Sequence, residues 1–82
     1  MDRLLDARHK LREGLEEAKQ NREQRRVAHY QATYARLELS QKNYKVAKEL
    51  ATAALEIFKS AGIEKDAKEM ESILAQIEIA KT

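Results

Sequence analysis

The chain has no cysteine, no proline and no tryptophan, and it has only two glycines, three tyrosines and one phenylalanine among 82 residues. Without cysteine there is no disulfide framework, no thiolate nucleophile and no cysteine-based zinc site. Without proline, and with glycine so scarce, little remains to build hairpin turns, which excludes an all-β fold. Long apolar runs are missing as well. The opening MDRLLDARHK is charged from its second residue, which argues against a secretory signal peptide, and no stretch approaches the roughly 20 apolar residues of a membrane span. A cytoplasmic protein is expected. An excess of one charge is also lacking: sixteen Lys and Arg against fourteen Asp and Glu give +2, with eight basic and six acidic groups in residues 1–26 and eight of each thereafter. That is short of the concentrated stripe of a nucleic-acid binder.

What is abundant is charge of both signs, 37% of the chain, alongside 43% hydrophobic residues rich in Ala and Leu. These are helix formers, and the expected fold class is all-α. The length supplies one small core and no cleft between two lobes, so a single domain over 1–82 is expected.

Comparing the sequence with itself reveals a repeat at an offset of 40 residues. YARLEL (34–39) aligns with LAQIEI (74–79), so that Ala35 meets Ala75 and Glu38 meets Glu78. Leu4, Ala7, Leu11, Gly14, Leu15 and Ala18 meet Tyr44, Ala47, Ala51, Ala54, Leu55 and Phe58, while Arg8, Glu16 and Lys19 meet Lys48, Glu56 and Lys59. Helical periodicity alone would reproduce the apolar spacing without these identities.

Four antiparallel helices follow, at about 3–20, 26–41, 44–61 and 65–81. Asn43 is placed to cap the third with its side chain, and Gly62 to close it in the left-handed conformation with Ile63 beyond as the hydrophobic contact. KQNREQRR contains neither Gly nor Pro; the break between the first two helices is assigned to Asn21 by analogy with Ala61. The third helix has two apolar stripes. One is Tyr44, Ala47, Ala51, Ala54, Leu55 and Phe58, the other Val46, Leu50, Ala53, Ile57 and Ala61, as expected of a helix packed on two sides. In the first helix the second stripe becomes Asp6, Lys10, Glu13, Glu17 and Asn21, which reads as an end cap facing water. In the fourth helix Lys68 and Ser72 replace Ala28 and Ala32 of the second, so its outer side is also partly polar.

YA (34–35), NYKVA (43–47) and AAL (53–55) resemble the tetratricopeptide repeat, an antiparallel helix pair with small residues at the close contact, here Ala35, Ala47 and Ala54. The similarity covers residues 28–62, with 1–18 resembling the second helix of a preceding unit and 67–80 the first of a following one. The 40-residue spacing is similar to the extended repeats of kinesin light chains and bacterial signalling regulators. Gln31 and Glu38 stand where that pattern has large apolar residues, and a one-residue shift would let Tyr30 and Leu37 serve instead. The resemblance implies a short solenoid or bundle that binds proteins without catalysis. Residues 41–58 also resemble the middle helix of a microtubule-interacting-and-trafficking domain, but AQIEIAK (75–81) lacks that family's closing Arg-Ala-Glu signature.

No Gly-rich phosphate loop, paired-histidine metal motif or nucleophile elbow occurs, and no enzyme, cofactor or metal is expected. His9 and Glu13 share a helical face with no third ligand in sight. His29, Thr33, Arg36 and Ser40 recur at i, i+4, i+7 and i+11 and form one polar face. The resemblance implies that this face lines a concave groove for a peptide, a partner helix or a second copy, with Arg36 pairing a carboxylate. Arg22, Arg25 and Arg26 are the candidate phosphate contacts of the alternative reading, a small basic protein on nucleic acid. Ile73, Ile79 and Ala80 form a candidate seam for a homodimer on the outer side of the fourth helix. Replacing Ala47 or Ala54 by Leu is predicted to overpack the third helix and cost roughly 1–3 kcal/mol. Chemical denaturation measures it, and two Leu variants that unfold like the parent remove the tight-contact assignment.

Overall fold

Three short connections of one design set the architecture, a computed structural model describing residues 3–81. The helices are α1 (Arg3–Gln20), α2 (Gln24–Ser40), α3 (Tyr44–Ala61) and α4 (Glu64–Lys81). After each of the first three, one residue turns left-handed: Arg22 at φ 55°, Lys42 at 62° and Gly62 at 72°. Its N–H reaches the carbonyl of Lys19, Leu39 or Lys59 at 3.0–3.2 Å, and the next N–H, from Glu23, Asn43 or Ile63, reaches that of Ala18, Glu38 or Phe58 at 2.9–3.0 Å. The carbonyls of Glu23, Asn43 and Ile63 then accept the first bond of the following helix, from Val27, Ala47 and Ala67. This is the Schellman closure fused to a helix start. Only Gly62 holds its conformation without a side chain; Arg22 and Lys42 each carry a cost of roughly 1–2 kcal/mol.

One local expectation holds and one needs correction. Asn21 is the first residue past α1, in a break over 21–23 whose left-handed residue is Arg22, the counterpart of Gly62. Asn43 makes no side-chain cap bond; its Nδ2 donates instead to Glu38 Oε1 at 3.4 Å. The carboxylate thus supplies across the connector the contact that Ile63 and Phe58 supply through apolar packing after α3.

α3 lies between α2 and α4, α4 also touches α2, and α1 packs on α2 alone. The Cα envelope measures 38 × 38 × 16 Å, a slab with two broad faces. Its core joins Ala28, Ala32 and Ala35 of α2, Ala47, Ala51, Ala54 and Phe58 of α3, and Ala67, Met70, Ile73 and Ile77 of α4. Alanine on both sides of the α2–α3 seam lets the helices approach closely, and Met70 and Ile77 fill the wider space beside α4. The second stripe of α3 does not close: Val46 is 39% exposed and Ala61 is also exposed, because α1 does not reach α3.

The shift in α2 register is overturned too. Gln31 and Glu38 are buried, whereas Tyr30 and Leu37 are only half-buried. Glu38 is tolerated there because Arg8 of α1 donates to Oε1 from Nε at 3.0 Å and from Nη2 at 2.6 Å. Gln31 Oε1 has no donor among the described residues. Forty residues on, Lys48 reaches Glu78 at 3.5 Å, so α1 sits on α2 through the same ion pair that α3 makes with α4.

A second tie between α1 and α2 involves Gly14. A Cβ there would lie 2.5 Å from Cε1 and Cζ of Tyr30, whose ring is in turn covered by the Arg26 guanidinium at 5.8 Å. Glycine weakens the middle of a helix by about 1 kcal/mol relative to alanine, and here it makes room for an aromatic ring.

Arg8→Met is predicted to cost about 2–3 kcal/mol, because it leaves the Glu38 carboxylate buried without its cation, whereas Arg8→Met with Glu38→Met should recover most of the loss. Urea unfolding of the cycle decides this; equal losses in the single and double variants would show that the ion pair has no coupling. Gly14→Ala is predicted to destabilise the parent by about 1 kcal/mol and to stabilise the Tyr30→Ala background by a similar amount. The same sign in both backgrounds would exclude the ring contact as the reason for glycine.

Candidate functional site: a groove between α2 and α4

Because α3 backs both α2 and α4, these two helices leave an open channel on the opposite side. It encloses about 450 Å³ and is lined by Arg36, Leu39 and Ser40 from α2 and by Glu69, Ser72, Ile73 and Gln76 from α4. The walls are apolar where Leu39 and Ile73 meet the floor and polar at the rim. Across the groove both Nε and Nη2 of Arg36 meet Glu69 Oε1. The two side chains are 44% and 41% exposed, so the pair is screened and contributes at most about 1 kcal/mol. A ligand carboxylate reaching Arg36 therefore competes with a weakly held internal one.

Of the four groove residues expected from sequence, Arg36 and Ser40 line the channel. His29 and Thr33 lie on the same helix outside the lining. Both hydroxyls are already engaged: Thr33 Oγ1 donates to the His29 carbonyl at 3.0 Å and Ser40 Oγ to the Leu37 carbonyl at 2.6 Å. His29 is exposed, with its ring edge-on to Tyr30 at 6.4 Å. Glu69 and Gln76, which the 40-residue repeat puts where His29 and Arg36 stand, both line the α4 wall, and neither repeats the basic character of its counterpart. Leu39, Ser72 and Ile73 complete the lining without a signal of their own in the sequence.

The three arginines of the nucleic-acid reading go to separate places. Arg22 occupies the left-handed turn. Arg25 lines a second depression of about 490 Å³ with Gln24, Glu56, Ile57, Ser60 and Ala61. Arg26 donates to both Glu23 oxygens, at 3.1 and 3.2 Å, and to the Tyr30 hydroxyl at 3.4 Å. The Tyr30 hydrogen bond, then those to Glu23, hold its guanidinium above the ordinary arginine pKa.

Of the expected seam, Ile73 is 4% exposed and belongs to the core, being spaced three and four residues from Met70 and Ile77 on the buried face of α4. Ile79 and Ala80 are exposed. His9 Nε2 meets Glu13 at 2.9 Å on an open surface, and among the described residues no three His, Cys, Asp or Glu side chains are placed to hold a metal. No described helix is long and apolar enough to cross a membrane. Comparison with protein-family models, with curated proteins and with solved structures gives no match.

Proposed function

We propose that the chain is a tetratricopeptide-like, non-catalytic interaction module whose α2–α4 groove holds an extended peptide or a partner helix from another protein. The observation that carries this reading is Arg36 at the rim of an open channel with Leu39 and Ile73 at its floor, its charge balanced only by the half-exposed Glu69. The floor accepts one or two apolar side chains, and the rim orients an acidic group by displacing Glu69 from the guanidinium. Sequence features agree with it: the 40-residue repeat places α2 and α4 in equivalent positions, and the small-residue seam keeps them evenly spaced over α3.

Glu69→Gln is predicted to tighten binding of carboxylate-bearing peptides about three- to tenfold, and Arg36→Gln to weaken it by a similar factor. Arg25→Gln, outside the groove, should change nothing. Fluorescence polarisation on a panel of acidic and neutral apolar peptides tests this. The groove reading fails if bound peptides ignore Arg36, and a steep salt dependence that follows Arg22 and Arg25 would favour nucleic acid instead.

A further inference from the structure

The ion pairs Arg8–Glu38 and Lys48–Glu78, and the left-handed residues Arg22 and Gly62, are each 40 residues apart. α1 on α2 and α3 on α4 are thus two copies of one packing. The remaining contact, α2 on α3, has no second copy within residues 3–81; its counterpart would set α4 against a helix in the position of α1. We propose that the chain self-associates head to tail, with α4 of one copy docking on α1 of the next as α2 docks on α3. This uses the two edges of the slab and is independent of the groove.

The edges suit each other when the observed α2–α3 contacts are carried forward. Glu38 and Asn43 are hydrogen-bonded across the connector; their counterparts are Glu78 on one copy and Arg3 on the next. Arg25 and Glu56 line one depression between α2 and α3; their counterparts are Lys65 and Glu16. Gln24 and Arg25 share that depression with Ile57, Ser60 and Ala61; continued one turn along α2, an antiparallel register puts Ala28 level with Ile57, whose counterparts are Lys68 and Glu17. All three carried pairs are of opposite charge. Between them the α2 residues Ala35 and Leu39 become Ala75 and Ile79, and the α3 residues Tyr44, Ala47 and Ala51 become Leu4, Ala7 and Leu11. Ile79 is 74% exposed and Ala75 is exposed, while Leu4, Ala7 and Leu11 are half-buried.

Because the two edges differ, the contact is heterologous: a pair of copies joined through it still presents one edge of each kind and can add further copies. One helix edge of 18 residues, about 27 Å long, is small for a specific interface, so weak association is expected. Light scattering and sedimentation over a concentration series should show a mass that climbs past two chains and falls back as salt is added. Lys68→Glu and Glu17→Lys each place like charges at the contact and should lower the association constant about tenfold. Lys68 lies in the first half of α4 and Glu17 in the last turn of α1, so both reversals suit the helix dipole and leave folding intact by circular dichroism. In a mixture of the two variants every contact between unlike copies carries opposite charges, and growth should recover well above that of either variant alone. The proposal is overturned by a parent that is monomeric at about 1 mM, by a dimer that does not grow, or by growth that neither reversal affects.

Discussion

The carboxylate of Glu38 holds together more of this molecule than any other group. Its side chain takes two hydrogen bonds from Arg8 of α1 and one from Asn43 at the start of α3, while its backbone carbonyl takes the Asn43 N–H that closes α2. Three helices are positioned by one residue. Since α1 packs on α2 alone and contributes only Ala18 to the fully buried set, its orientation depends on that ion pair and on Tyr30 over Gly14 more than on apolar area. Coulomb attraction in a site this sheltered is stronger than at the surface, and the desolvation cost is met only because Arg8 and Asn43 together satisfy the same oxygen.

Even spacing is the second constraint. Helices of 17 or 18 residues begin at positions 3, 24, 44 and 64, separated by connectors of three, three and two residues that share one hydrogen-bond pattern. Every reversal therefore sends the chain back with the same geometry, and the helices pile up as a slab. Two of the three reversals hold a non-glycine residue at positive φ. That strain is offset because each left-handed residue releases two N–H groups to carbonyls that would otherwise be orphaned at a helix end. Arg22 and Lys42 gain a charged, solvated side chain at the tip, which suits an exposed turn; Gly62 gains freedom from strain.

Much of this is legible in the residues. The all-α class follows from the missing proline and the scarce glycine, and Gly62 marks its helix end because a single-residue signal exists there. The earlier turns carry no such signal: nothing in Arg22 or Lys42 declares a left-handed backbone, and only alignment with Gly62 locates Arg22. Burial of Glu38 and Gln31 was hidden for a different reason. Periodicity counts apolar residues, and a buried carboxylate is stable only through a partner thirty positions away in sequence, which no local window contains. The same limit governs the groove. The polar face of α2 was readable, but which of its residues line a channel depends on the tilt of α4, and the engagement of Arg36 by Glu69 depends on a contact between helices that are not adjacent in sequence.

The groove and the edges are products of one geometry. A slab built from α1–α2 and α3–α4 in the same packing places α2 and α4 along one broad face, and the channel between them exists because equivalent helices stand at one repeat's spacing over a common backing helix. Any helix that docks on α4 as α3 docks on α2 would back a further channel on the far side of α4, with Gln76 on its rim where Arg36 stands in the first. Under the proposed function, recognition length would be set by how many units were joined rather than by the depth of any single groove. The charged residues at the edges, Lys65, Lys68 and Glu78 on α4 and Arg3, Glu16 and Glu17 on α1, have opposing effects in that process. They would keep each edge hydrated when alone and align the edges when two met, so ionic strength would act on the length of such an array and leave the alanine-lined core, whose members carry no charge, unchanged.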